Sequence, residues 1–185
     1  NHYCIDHYTA ANFTPFYDIK KQIWSDKIAQ KIIDLKILPK LVWTNDIIGK
    51  VNKKASKETG LSEGTLVTAG TIDAAAEAVS VGVINPKDMM MMYGSTMFFI
   101  CLTKKQIFDS RLWYAPWLFK GQHSSQAGLS TSGTLTHWFK EEFAKDIKHN
   151  NIFEKLSKEA QSSPPGSNGI IFLPYFSGER TPIHD

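Results

Sequence analysis

The stretch from residue 66 to residue 82 constrains the fold of this chain more than any other. Residues 66–69 form a short apolar run that predicts a β-strand, and Gly70-Thr71-Ile72 follows it. Asp73 then opens an alanine-rich run that ends at Gly82 and is the strongest helix-forming segment of the sequence. A strand that passes directly into a helix is typical of α/β proteins, which place reactive groups at such junctions.

Periodic segments elsewhere predict further helices and strands. Helical spacing of apolar residues predicts three more helices, at residues 25–37, 132–144 and 151–161. Apolar runs predict three more strands, at residues 88–93, 97–102 and 170–174, the last of them buried. Gly94-Ser95-Thr96 joins the first two of these strands as a hairpin, and Asn85-Pro86 marks a domain boundary. The fold class is therefore α/β.

Composition argues against several classes of function. The 185 residues are 42% hydrophobic and 21% charged, as in ordinary globular proteins, and a net charge of +3 without a basic tract argues against a nucleic-acid partner. No apolar run reaches the length of a membrane span. Cys4 and Cys101 form neither a disulfide framework nor a metal motif, so we expect a cytoplasmic protein. The abrupt ends of the sequence lead us to expect an excerpt from a longer protein.

Asp73 is the first residue with a candidate chemical role. A carboxylate in the first turn of a helix is stabilised by the free N–H groups and the helix dipole, so Asp73 can be a simple N-cap. It can also accept a proton from an alcohol nucleophile, a role that contributes about 10²–10⁴ in rate. The residues alone leave both interpretations open.

Two hydroxyl-rich turns are candidate phosphate sites. Gly94-Ser95-Thr96 offers backbone N–H and hydroxyl donors to phosphate oxygens, although the tripeptide alone favours a plain hairpin turn. Thr131-Ser132-Gly133-Thr134 opens a helix, where N–H groups can bind an anion, and a simple helix cap is the alternative. The six histidines show no metal-ligand spacing, so no metal site is assigned. The sequence contains neither GxxxxGK[ST] nor GxGxxG, which removes the commonest phosphate-loop folds.

Five segments occur in an order that is jointly specific. They are Tyr8-Thr-Ala-Ala-Asn12 with Trp24-Ser-Asp26, Leu38-Pro39 with Ile48-Gly49, Gly70-Thr-Ile-Asp73 ahead of Ala76, Tyr93-Gly-Ser-Thr96, and Pro174-Tyr-Phe-Ser-Gly178-Glu-Arg-Thr-Pro182. Together they resemble the FGGY carbohydrate kinases, the family of glycerol, xylulose and gluconate kinases. The third segment resembles the family's G-x-x-D-x-x-A motif, and the last resembles its P-x-x-x-G-E-R-x-P signature. The resemblance covers the whole chain.

The resemblance implies an actin-like ATPase (ribonuclease H-like) fold, with residues 1–85 ending a sugar-binding domain and residues 86–185 beginning a nucleotide-binding domain. It implies ATP-dependent phosphorylation of a sugar or polyol hydroxyl, with Asp73 as the catalytic base and Tyr8 on the sugar side. The implied nucleotide and phosphate contacts are Gly94, Ser95, Thr96 and Gly133. The Mg²⁺ ligand is expected in an N-terminal family segment that this chain lacks, so we expect the excerpt alone to be inactive. The expected partners are then a sugar and ATP. We expect no membrane association, and the resemblance does not decide whether the protein forms a homodimer.

The chain departs from the family pattern at several positions. His7 stands where the family usually has aspartate, with Asp6 adjacent, and Asn12 replaces a serine. The order of hydroxyls in Ser95-Thr96 is unusual, which leaves open which of them contacts phosphate. Ala74 stands where glycerol kinases carry glutamine, so a xylulose-like ketopentose is favoured over glycerol.

Two other interpretations remain at this stage. One is an actin-like nucleotide-binding scaffold that does not phosphorylate a sugar. The other is a non-catalytic interaction fragment, in which four aromatic residues form an exposed patch: Trp113, Tyr114, Trp117 and Phe119.

Overall fold

The computed structural model describes residues 2–29, 31–145, 147 and 151–184. The strands are β1 (Cys4–Asp6), β2 (Tyr17–Asp18), β3 (Ile23–Trp24), β4 (Lys40–Val42), β5 (Ile47–Lys50), β6 (Leu66–Thr68), β7 (Met89–Tyr93), β8 (Met97–Thr103), β9 (Trp113–Pro116) and β10 (His123–Leu129). The helices are α1 (His7–Ala10), α2 (Asp26–Ala29), α3 (Lys53–Thr59), α4 (Asp73–Ser80), α5 (Gly133–Phe143) and α6 (Ile152–Gln161), with 3-10 turns at Ala11–Phe13, Leu35–Ile37 and Ser167–Gly169.

Strand pairing includes both parallel and antiparallel neighbours. β1 and β4 pair in parallel, and β2–β3 and β5–β6 are antiparallel pairs. A larger sheet has the strand order β7-β8-β10-β9, in which β9 and β10 are antiparallel. Helices lie between these strands along the chain, which confirms the mixed α/β class.

The chain divides into two compact units. The first contains Asn1–Met90 and Ile100–Gln126, and the second contains Met91–Phe99 and Ala127–Asp185. The boundary expected at residues 85–86 concerns the domains of the family, and it stays a prediction.

In the first unit, the alanines of α4 determine which face of this helix is buried. Ala75 and Ala78 lie three residues apart on one face, and both are fully buried. Alanine also has the highest intrinsic helix propensity, so the sequence favours the helix and its close packing at the same time. Other buried side chains of this unit are Tyr8, Tyr17, Val83, Ile100, Leu102 and Trp117. The packing of this inner face therefore holds α4 against the core of the first unit.

In the second unit, Thr181 ties the Pro174–Pro182 signature segment to β10. Its hydroxyl donates to the carbonyl oxygen of Gly128 at 2.8 Å and accepts from the Gly128 N–H at 2.6 Å. Glu179, which is also buried, accepts the backbone N–H of Thr181 at 3.0 Å. Both buried side chains are thus hydrogen-bonded to backbone groups, as is usual for polar groups in a protein interior.

Two predicted elements are wrong. Of the residues that the structure describes in the helix expected at 25–37, Asp26–Ala29 are α-helical and Leu35–Ile37 form a 3-10 turn, and Ile32 is 70% exposed. An exposed Ile32 adds no tertiary packing to a continuous helix, and a short helix without such packing is marginal. The strand expected at residues 170–174 is absent from the described residues, and the side chains from Ile170 to Leu173 are 59–85% exposed.

The exposed aromatic patch expected for an interaction fragment is not formed. Trp117 is fully buried and Tyr114 is 7% exposed, so only Phe119 of the four is an exposed aromatic residue. Among the helices that the structure describes, none combines the length and the apolar character that crossing a bilayer requires.

Candidate active site

Asp73 is the first residue of α4, and its side chain is exposed. Ile72 occupies the N-cap position, so the interpretation of Asp73 as a simple N-cap is wrong. One carboxylate oxygen of Asp73 accepts the N–H of Ala74 at 2.8 Å, which fixes the side chain at the start of the helix. An exposed carboxylate held in this way is accessible to a ligand and has the chemistry of a general base.

Tyr8 is packed in the interior of the first unit. Its hydroxyl donates to Gln126 Oε1 at 3.2 Å, and its ring meets the Trp117 ring edge-on at a centroid distance of 5.2 Å. Burial raises the pKa of Tyr8 well above its usual value, and the negative charges of Asp6 and Asp73 raise it further. Tyr8 is therefore a neutral, hydrogen-bonded side chain, and its direct contact with a sugar stays a prediction.

Asp6 connects the segment that carries Tyr8 to the loop that precedes α4. Its side chain is 5% exposed, and its Oδ2 accepts the N–H of Thr9 at 3.3 Å, which caps α1. The same oxygen accepts the hydroxyl of Thr71 at 3.0 Å, two residues before Asp73. This contact could not be predicted from the sequence, because no local pattern pairs residues 65 positions apart.

His7, which stands where the family usually has aspartate, lies among aromatic side chains. It is buried, its Nδ1 lies 2.7 Å from the hydroxyl of Tyr17, and its ring lies against Trp43. Burial lowers the pKa of His7, an effect that the charges of Asp6 and Asp46 oppose. Asp6, at the preceding position, is the buried carboxylate of this segment.

In the second unit, the turn between β7 and β8 packs on the N-terminus of α5. The N–H of Gly133 donates to the carbonyl oxygen of Gly94 at 2.9 Å, and the N–H of Ser132 donates to that of Ser95 at 3.0 Å. The hydroxyl of Thr134 also reaches the Ser95 carbonyl, at 3.1 Å. These donors are engaged by the turn, and the anion site expected at the start of α5 stays a prediction. The structure nevertheless brings the predicted Gly94, Ser95 and Gly133 together.

Gly133 allows this close approach because it has no side chain. A Cβ atom at Gly133 would lie 2.7 Å from the Gly94 carbonyl oxygen, well inside van der Waals contact. The close approach of the neighbouring turn is therefore sufficient to require glycine at position 133. A contact between Gly133 and a nucleotide stays a prediction.

The hydroxyls around this turn are suitable phosphate donors. Ser95 is exposed and Thr96 is partly exposed. The Thr131 and Ser132 hydroxyls are buried and make no hydrogen bond within the described residues. Hydroxyl and backbone N–H groups are the donors that phosphate oxygens accept, so the residues present fit a nucleotide phosphate.

The structure provides no cluster for a divalent cation in the ranges that it describes. There, no three His, Cys, Asp or Glu side chains lie close enough together to hold a metal ion; His149 falls outside those ranges.

Comparison with known protein families gives a match for the N-terminal part of the chain. The family model of the FGGY carbohydrate kinases, N-terminal domain, matches residues 1–80. Residues 1–80 belong to the FGGY family. The FGGY resemblance also extends further along the chain, because a xylulose kinase of Lactococcus lactis is 33% identical over 175 residues, 93% of this chain and 34% of the relative.

Two further matches support the same family and its fold. A xylulose kinase of Bacillus subtilis is 29% identical over 96% of this chain and 36% of the relative. The crystal structure of a xylulose kinase from Rhodospirillum rubrum superimposes with a TM-score of 0.85 at 25% identity, over 97% of this chain and 37% of that structure. The actin-like fold expected from the FGGY resemblance is confirmed. The chain spans about a third of the length of the relatives that it matches.

Proposed function

We propose that this chain is the central part of a longer kinase, called the parent below, that transfers the γ-phosphate of ATP to a hydroxyl of a sugar or polyol. The observation that carries the proposal is the exposed Asp73 carboxylate at the start of α4, within a chain that aligns with xylulose kinases over nearly its whole length. A xylulose-like ketopentose is the favoured substrate. Ala74 supports this choice, because glycerol kinases carry glutamine there.

Asp73 would accept the proton of the attacking hydroxyl as the new P–O bond forms and the bond to ADP breaks. Phosphoryl transfer depends mainly on positioning and on stabilisation of charge. The Ser95 and Thr96 hydroxyls would donate to phosphate oxygens, and the backbone at Gly94 and Gly133 would keep this turn in place. A Mg²⁺ ion bound with ATP would neutralise charge on the β- and γ-phosphates.

A cytoplasmic location is part of the proposal. Cys4 and Cys101 are both free, as expected for thiols in a reducing compartment. The ATP and sugar that the reaction consumes would be available there.

The test replaces Asp73 in the parent by asparagine, which keeps the size of the side chain and its bond to the Ala74 N–H. We expect turnover of ATP with a panel of ketopentoses to fall at least about 10²-fold, while ATP still binds. Near-normal turnover by Asp73→Asn would reject the proposed base. ADP release that is independent of any sugar would instead identify an actin-like nucleotide-binding scaffold.

A further inference from the structure

We infer that Thr71 and Asp6 are positioning residues for Asp73, through the hydrogen bond that joins them. The inference rests on the proposed role of Asp73 as the base, and it adds two residues that contact neither the sugar nor the nucleotide in the proposed mechanism. Three observations on the loop before α4 carry it.

The first observation is that the start of α4 has no side-chain cap. Ile72 is the N-cap residue and cannot accept a hydrogen bond through its side chain. Helices usually fix their first turn with a Ser, Thr, Asp or Asn at this position. Among the described residues, the hydrogen bond of the Asp73 side chain goes to the N–H of its own neighbour, Ala74, and does not anchor the helix start to another element. The buried Ala75 and Ala78 hold the helix from its third residue onward, so the position of Asp73 also depends on the loop before it.

The second observation is the shape of the loop itself. Gly70 has a φ of +73°, in the left-handed region that favours glycine. The N–H groups of Ala69 and Gly70 donate to the carbonyl oxygens of Asp46 and Thr44, at 3.1 and 3.2 Å. These bonds hold the loop as far as Gly70, three residues short of Asp73.

The third observation is the bond from Thr71 to Asp6. It is 3.0 Å long, and it is the side-chain hydrogen bond nearest to Asp73 that reaches a different element. Its acceptor is a carboxylate that is 5% exposed and already bound to the start of α1 through Thr9. A buried acceptor with a second donor has little freedom to move, and a hydrogen bond to a charged group is stronger than one between neutral groups. The bond from Thr71 therefore holds the residues just before Asp73 at a fixed distance from β1 and α1.

Small displacements of a catalytic group are costly, because a misplacement of about 1 Å can reduce the rate about 10²-fold. We expect Thr71→Val in the parent, which replaces the hydroxyl by a methyl group, to lower kcat by about 10- to 100-fold. The KM for ATP should stay within about twofold, because the proposed phosphate contacts lie in the second unit. Thr71→Ser, which restores the hydroxyl, should recover most of kcat. Thr68→Val, on the exposed strand β6, is the matched control and should leave kcat unchanged.

The decisive measurement repeats Thr71→Val in a parent that already carries Asp73→Asn. If Thr71 acts through Asp73, it should lower kcat in the wild-type background and add little in the Asp73→Asn background. An equal loss in both backgrounds, or no loss in either, would overturn the inference while leaving the proposed function intact. Wild-type turnover by Asp73→Asn alone would instead reject the base, and this inference with it.

A thermal unfolding midpoint for each variant separates positioning from a loss of folding. Should Thr71→Val fail to fold, Thr71→Ala provides the same test, because it also removes the hydroxyl that donates to Asp6 and adds no bulk. The same pattern of a lower kcat, an unchanged KM for ATP and no further loss with Asp73→Asn supports the inference. An unchanged kcat in a folded Thr71→Ala variant overturns it.

Discussion

Replacement of Gly133 by alanine should loosen the turn between β7 and β8. The added Cβ would lie 2.7 Å from the Gly94 carbonyl oxygen and 3.3 Å from its carbonyl carbon, and both atoms belong to backbone that cannot rotate away. The turn must therefore shift by several tenths of an ångström, which lengthens the 2.9 Å bond from the Gly133 N–H. Overpacking of this kind costs about 1–3 kcal/mol, and the better helix propensity of alanine returns at most about 1 kcal/mol. We expect a net loss of about 1–2 kcal/mol.

Amide hydrogen exchange of the 185-residue chain measures this loss directly. Exchange in the peptides that contain residues 91–99 and 132–143 should accelerate about 5- to 30-fold in Gly133→Ala, since about 1.4 kcal/mol corresponds to a factor of ten. Gly94→Ala is the matched control in the same turn. Its Cβ would meet the nearest atom, the Thr96 carbonyl oxygen, at 3.7 Å, which is ordinary contact. Equal exchange rates in Gly133→Ala and Gly94→Ala would refute the steric argument.

Three further predictions concern buried polar groups, and urea unfolding of the 185-residue chain measures each of them. Thr181→Val should lower the free energy of unfolding by about 2–4 kcal/mol, because it leaves both backbone groups of Gly128 without their partner, whereas Thr181→Ser should cost much less. Tyr8→Phe should cost about 1–2 kcal/mol, because Gln126 Oε1 loses its donor; an unchanged midpoint would show that water replaces the bond. Burial lowers the pKa of His7 in the folded state, so the unfolded state binds the proton first. Its contribution to stability should be complete above pH 6.5 and be lost as the pH falls below that value, and His7→Gln should flatten this slope.

The sequence predicted those elements whose cause is local. The helix from Asp73 was expected from its alanine content, and those at 132–144 and 151–161 from their apolar spacing; they are observed as α4, α5 and α6. The hairpin of β7 and β8 was likewise expected from a glycine turn between two apolar runs. The helix-forming and turn-forming signals of these segments lie within one sequence window, so their secondary structure could be predicted without knowledge of a distant contact.

The failures occurred where the outcome depends on a distant partner. Ile32 has helical spacing and still lies exposed, because no core surface covers it. The contacts in the candidate site have the same origin. Thr71 bonds Asp6 across 65 residues, and Gly133 is a glycine because of Gly94, so neither requirement is visible in the neighbouring sequence.

The exposed run from Ile170 to Leu173 affects how the free 185-residue chain behaves in concentrated solution. Four consecutive apolar residues without a charge are exposed here and form no strand among the described residues, and such segments template intermolecular β-structure. Gly169 and Pro174 flank the run and limit its length to four residues, which is shorter than the six or seven typical of a steric zipper. Self-association through this run would therefore produce small, reversible oligomers rather than fibrils.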